Sequence, residues 1–132
     1  MRFLRYLGQI LFVLAFIMPL SAQNELDFET VSVTASDNLE LVGDIYLPDD
    51  IADIGNPAVL LFHMLGASRS AYEPLIPDLL DAGYIIVNAD MRGHGDTGGN
   101  QEWELTVEDV QVWLDWMREH DAIDGAQIAI IG

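Results

Sequence analysis

Tyr84-Ile85-Ile86-Val87-Asn88-Ala89-Asp90-Met91-Arg92-Gly93-His94-Gly95-Asp96-Thr97-Gly98-Gly99 is the stretch that decides how the rest of the chain is read. Residues 84–89 are apolar apart from Asn88 and have the length of a strand. They lack the polar alternation of a half-exposed strand, so they read as a strand covered on both faces. The run empties straight into a glycine-rich loop, whose glycines permit a tight path at positive φ. Asp90 and Arg92 are placed to pin that loop by charge-assisted hydrogen bonds, an architectural rather than a catalytic task.

The same organisation recurs on either side. Upstream, Ala58 to Phe62 is a second continuous apolar run, followed by the loop His63-Met64-Leu65-Gly66-Ala67-Ser68-Arg69. Ser70 and Glu73 fit a capping box that opens a helix. Leu75, Ile76, Leu79 and Leu80 supply the apolar face of that helix, and Gly83 stops it. Downstream, Thr106 and Asp109 are candidate caps for a second helix with its stripe at Val110, Trp113, Leu114 and Met117. Asp121 to Ala126 reads as a turn, and Gln127 to Ile131 as a last buried strand running into Gly132. Nearer the N-terminus, Thr30 to Thr34 and Leu39 to Leu47 alternate around Ser36-Asp37-Asn38, which predicts a hairpin.

A hairpin followed by strand, helix, strand, helix, strand predicts an α/β fold: a three-layer α/β/α, doubly wound, mostly parallel sheet. Such sheets carry their functional loops at the carboxyl ends of the strands. Three places qualify: His63 to Ser70, Asp90 to Gly99, and whatever follows Gly132.

Composition narrows the function. The chain has 132 residues, 22 Asp and Glu against five Arg, no Lys and no Cys, for a net charge of −17. Every acid lies after Ala22, where Arg69, Arg92 and Arg118 are the remaining cations. Phosphate recognition needs clustered Lys or Arg, so a nucleic-acid partner is disfavoured. Without cysteine there are no disulfides, no Cys-zinc sites and no thiol catalysis. At the N-terminus, Arg2 and Arg5 precede an apolar run from Tyr6 to Leu20, then Ser21-Ala22. That is the outline of a secretory signal over residues 1–22, leaving 23–132 as the domain and an exported, periplasmic or extracellular product. The alternative is an uncleaved anchor, in which case the chain contacts a membrane there; the run is short for a span of roughly 20 apolar residues.

Three other patterns carry no chemistry. Gly93-x-Gly95-x-x-Gly98 satisfies a dinucleotide-binding string, but the next helix begins too late for it, so no nucleotide cofactor is expected. His63, His94 and His120 lack ligand spacing, so no metal is expected either. Trp103, Trp113 and Trp116 read as core and rim rather than a sugar platform.

Three segments together carry a resemblance: Val59-Leu60-Leu61-Phe62-His63-Met64-Leu65-Gly66, then Gly83 to Thr97 with its Asp90-x-Arg92-Gly93-His94-Gly95 loop, then Ile128-Ala129-Ile130-Ile131-Gly132. Over residues 30 to 132 the chain resembles the N-terminal half of the α/β-hydrolase superfamily. Its helix from Glu108 to Arg118 is similar to the esterase, dienelactone-hydrolase-like and serine-aminopeptidase branches. The resemblance implies an α/β-hydrolase fold cut after the strand that leads to the nucleophile elbow, Gly-x-Ser-x-Gly. It implies a Ser-His-Asp or Glu triad lying past Gly132, with no catalytic residue within this chain. It implies oxyanion donation by the backbone N–H of Leu65, with Met64 a further candidate, in loops supported by His63, Gly66, Asp90, Arg92, Gly93, His94 and Gly95. Where the family often has Gly after the loop histidine this chain has Met64, a side chain able to narrow the acyl pocket. The implied activity is hydrolysis of a small-molecule ester, lactone or short amide, as in a carboxylesterase or a serine aminopeptidase. The competing expectation is a short non-catalytic binding or vestigial module of the same fold.

Overall fold

The computed structural model describes residues 26–132, so the expected signal segment lies outside the described residues. Within them the chain runs β1 (Glu29–Thr34), β2 (Glu40–Tyr46), β3 (Asn56–Phe62), a 3₁₀ segment (Arg69–Leu75) leading into α1 (Ile76–Asp81), β4 (Ile85–Ala89), α2 (Trp103–Glu119) and β5 (Ile123–Ile131). The strands form one sheet in the order β1-β2-β4-β3-β5. β4, β3 and β5 are mutually parallel, while β2 pairs antiparallel with both β1 and β4. The sheet is therefore mixed, a parallel half extended by the expected hairpin. Asn38 turns that hairpin in the left-handed region at φ 68°, a conformation asparagine tolerates.

Alternate residues of β3 feed two cores. Ala58, Leu60 and Phe62 face one side, with Trp113 and Met117 of α2. Val59 and Leu61 face the other, with Ile76 of α1. The three layers follow from this division: a strand apolar on both faces needs cover on both. The stripe read on α2 is the buried one, with Trp113 and Met117 fully enclosed.

Three local expectations are corrected. Ser70 and Glu73 form no capping box: Ser70 Oγ pairs with Ser68 Oγ at 2.8 Å, and neither the 3₁₀ segment nor α1 has a side-chain cap. Pro74 and Pro77 each remove a backbone donor there, and the chain makes a short 3₁₀ stretch before α1. Thr106 and Asp109 do not cap α2, which already starts at Trp103; Thr106 Oγ1 instead donates to the Glu102 carbonyl at 2.9 Å. The turn expected at 121–126 sits largely inside β5. Ile123 pairs with Asn56 and Ile128 with Ala58, so the residues between them bulge out of the ladder. Asp124 closes that bulge, accepting from Ala126 N at 2.9 Å and Gln127 Nε2 at 2.6 Å, bonds that lower its carboxyl pKa.

Candidate functional site

The parallel register of β3 and β4 sets Phe62 beside Ala89, so the loops beginning at His63 and Asp90 leave the sheet side by side. In the first loop, Ala67 N donates to the Met64 carbonyl at 3.2 Å. Gly66 has φ +78°, and Leu65 is not among the positive-φ residues. A four-residue turn with positive φ at its third position alone is a type II turn, which explains glycine at 66. Among the described residues the Leu65 N–H meets no acceptor, and Met64 and Leu65 are exposed.

The two loops exchange hydrogen bonds through two histidines. His63, from the first, accepts from Met91 N at 3.0 Å through Nε2, while its Nδ1 bonds the Met64 carbonyl at 2.9 Å. His94, from the second, accepts from Gly66 N at 3.1 Å through Nε2, while its Nδ1 bonds the Arg92 carbonyl at 3.1 Å. An amide N–H can only donate and a carbonyl can only accept, so each ring carries its proton on Nδ1. Asp90 Oδ1 stands 3.7 Å from His63 Nε2. That nitrogen is already taken by Met91, and the contact is not an ion pair of the neutral ring. The rings meet edge to face at 5.2 Å.

Asp90 organises the second loop. It is buried and accepts from Arg69 N at 2.8 Å and Asp96 N at 2.9 Å, with the Arg69 guanidinium against it. Thr97 Oγ1 donates to the Asp90 carbonyl at 2.9 Å and accepts from Val42 N at 2.8 Å, which stitches the loop to β2. A side chain at Gly95 would collide with the Asp90 carboxylate, so that glycine is required by space. Arg69 also reaches Asp44 at 2.6 Å and Asp96 at 2.8 Å. Burial works against its charge, but the bonds to Asp44 and Asp96 outweigh it and raise its pKa.

Arg92, 2% exposed, grips Asp109 through Nε and Nη2 at 2.7 Å each and Asp37 through Nη1 at 2.9 Å. The bonds to Asp109 and then to Asp37 raise its pKa. Its hydrogen bond in turn lowers that of Asp37. Asp90 thus ties the loop together through Asp96 and Thr97 and to the first loop through Arg69, while Arg92 ties it to Asp109 and Asp37. Asp109 was misread as a cap. The available signal was its place on the buried stripe of α2, one turn before Trp113, where a carboxylate demands a partner. Asp37, Asp44 and Arg69 also belong to these networks, with no local sequence signal that pairs them. Of the three arginines among the described residues, Arg69 and Arg92 each engage two or more carboxylates, whereas Arg118 pairs with Asp115 alone.

Beside the turn lies an apolar cavity of about 620 Å³. Phe62, His63 and Met91 lie deep in it, Met64 and Leu65 line one side, and Trp103 and Val107 of α2 line the other. The sequence-read residues His63, Met64, Leu65, Gly66, Asp90, Arg92, Gly93, His94 and Gly95 therefore assemble at one end of the sheet. No group of three metal-ligating side chains occurs among the described residues. Ser68, the serine nearest to an elbow pattern, bonds Ser70, and neither histidine's hydrogen-bond partners include a serine.

Comparison with known proteins fits this geometry. The sequence profile of the alpha/beta hydrolase fold matches residues 57–132, more than half of the chain. The chain belongs to the alpha/beta hydrolase family. Among solved structures it is similar to the hypothetical protein PA2218 from Pseudomonas aeruginosa, at 22% identity and TM-score 0.71 over 87% of this chain and 37% of that one. It is also similar to the esterase Pf2001 from Pyrococcus furiosus, at 24% identity and TM-score 0.66 over 81% of this chain and 42% of that one. Of curated proteins, the non-reducing polyketide synthase adrD of Penicillium rubens is 30% identical over 86% of this chain and 5% of that protein. The chain thus spans less than half the length of these relatives. At such identities the structural likeness carries the fold, and activity has to be argued from the site.

Proposed function

We propose that this chain supplies the oxyanion half of an exported serine hydrolase acting on esters, lactones or short amides. The serine, acid and histidine of its triad belong to sequence after Gly132. The observation that carries the reading is the unpartnered Leu65 N–H, presented by a type II turn at the end of a buried strand and opening beside an apolar cavity. In the proposed step the serine oxygen attacks the substrate carbonyl carbon and the histidine takes the serine proton. The carbonyl oxygen becomes an anion that accepts from Leu65 N–H and from the amide after the serine. Collapse returns the proton to the leaving group. Met64 and Trp103 border the acyl group in this reading. The N-terminal segment directs export, a reading supported by its basic start, apolar run and small residues.

The engaged histidines and the absence of Gly-x-Ser-x-Gly favour a second statement: residues 23–132 alone do not hydrolyse esters. The test is to read the coding DNA past codon 132 and assay its whole product on short-chain aryl esters. A continuation with any residue, Ser, any residue and Gly, with burst kinetics that vanish when that serine becomes alanine, supports the proposal. A stop codon directly after Gly132 leaves the non-catalytic module.

A further inference from the structure

A trans peptide unit points its C=O and N–H in opposite directions. The Met64 carbonyl and the Leu65 N–H share one such unit, and the Leu65 carbonyl and the Gly66 N–H share the next. Each plane is tied down from one side. The Met64 carbonyl is held by Ala67 N and His63 Nδ1, and the Gly66 N–H by His94 Nε2. His63 is itself anchored by Met91 N, and His94 by the Arg92 carbonyl. Every anchor that reaches the turn from outside its own loop therefore originates in the loop after β4. His94 is the single side chain of that loop bonded directly to the turn among the described residues.

We propose that His94 is a positioning residue for the Leu65 N–H: by accepting from Gly66 it fixes the Leu65–Gly66 peptide plane and so the direction in which the preceding amide donates. This rests on the serine-hydrolase reading for its effect on rate, but not for its effect on the amides. His94 touches no reacting atom in this account. It works only as the Nδ1–H tautomer, because Nε2 must be free to accept. Glutamine keeps an acceptor oxygen and a donor nitrogen at one end of its side chain and is the conservative replacement; alanine keeps neither.

The test uses the whole natural gene product that carries this chain. ¹⁵N NMR should report His94 protonated at Nδ1, with the Gly66 amide slow to exchange with solvent. In His94→Ala the Gly66 amide should exchange at least about 10-fold faster, the scale of one lost neutral hydrogen bond. The Leu65 amide resonance should move, while the Met91 amide, held by His63, keeps its protection. In His94→Gln the Gly66 protection should return. In ester hydrolysis, kcat of His94→Ala should fall by about 10- to 100-fold, short of the loss seen on deleting an oxyanion donor outright. KM and Tm should stay close to those of the parent, and His94→Gln should recover most of kcat. Unchanged Gly66 and Leu65 amides in His94→Ala would overturn the proposal, as would a kcat loss that merely follows a drop in Tm. If His94→Ala does not fold, the tautomer in the parent and the Gln variant decide: a ring protonated at Nε2, or a Gln variant without Gly66 protection, overturns it. A parent protein that hydrolyses nothing would sink the enzyme reading alone, leaving the amide results to judge the positioning.

Discussion

β3 and β5 have nearly the same sequence character, Ala-Val-Leu-Leu-Phe against Ile-Ala-Ile-Ile, yet they live in different surroundings. Ala58 to Phe62 are buried throughout, with strands on both edges and a helix on each face. In β5 only Ile123 is buried, Ile130 is 49% exposed, and the strand pairs on one edge only, with β3. Burial is a property of neighbours rather than of composition: β3 sits between β4 and β5, while the described residues offer β5 no second strand. The candidate site lies at the carboxyl ends of β3 and β4, the two strands of the parallel part with neighbours on both edges. In the proposed function, β5 is the strand that sequence after Gly132 goes on to cover.

The contrast can be broken from its strong side first. Leu60→Ala removes side-chain volume from a position with no exposure, and should cost about 2–5 kcal/mol in chemical denaturation. Asp109→Ala should cost about 3–5 kcal/mol, because it strips Arg92 of its enclosed partner and leaves only the more exposed Asp37. Replacing Arg92 and Asp109 together by Met and Leu should cost less than Asp109→Ala alone, a test of whether the unpaired charge or the lost packing is responsible.

A smaller effect concerns acid. The Asp37 carboxyl is held below its usual value of 3.8 by the hydrogen bond from Arg92. A depressed folded-state pKa contributes stability that is present above the unfolded value and lost as pH falls through the folded one. Stability should therefore decline below about pH 4, and Asp37→Asn should flatten that acid limb by lowering stability slightly at neutral pH while leaving acid pH, where Asp37 is protonated anyway, unchanged. A denaturation series from pH 7 to pH 2 reads this directly. Smallest of all should be Ile130→Thr on β5, within about 0.5 kcal/mol for residues 23–132. A loss as large as that of Leu60→Ala would mean that β5 is covered in solution and would erase the contrast.

Periodicity made the strands, the hairpin, both helices and the layer order legible, because the apolar runs of 58–62 and 84–89 and the stripe at Val110, Trp113, Leu114 and Met117 are set by cores that need little else. The carboxyl-end rule then placed His63–Gly66 and Asp90–Gly99 together. What stayed illegible were the long-range polar pairings. Arg92 reaches 17 residues forward to Asp109 and 55 back to Asp37, and nothing local in the sequence marks such partners. The capping box failed for a related reason. Ser70 and Glu73 satisfy the local pattern, but Pro74 and Pro77 reshape the segment and Ser68 takes the Ser70 hydroxyl. The reciprocal histidine bonds were equally hidden, since they exist only once β3 and β4 lie in register.

The most direct test of the central claim is a crystal structure of the whole gene product inactivated by an alkyl phosphonate, which mimics the tetrahedral intermediate. The account predicts the phosphonyl oxygen at about 2.7–3.1 Å from the Leu65 nitrogen, with His94 still bonded to Gly66. A phosphonyl oxygen held by other donors, or a Leu65 N–H turned into a bond with protein, would contradict it.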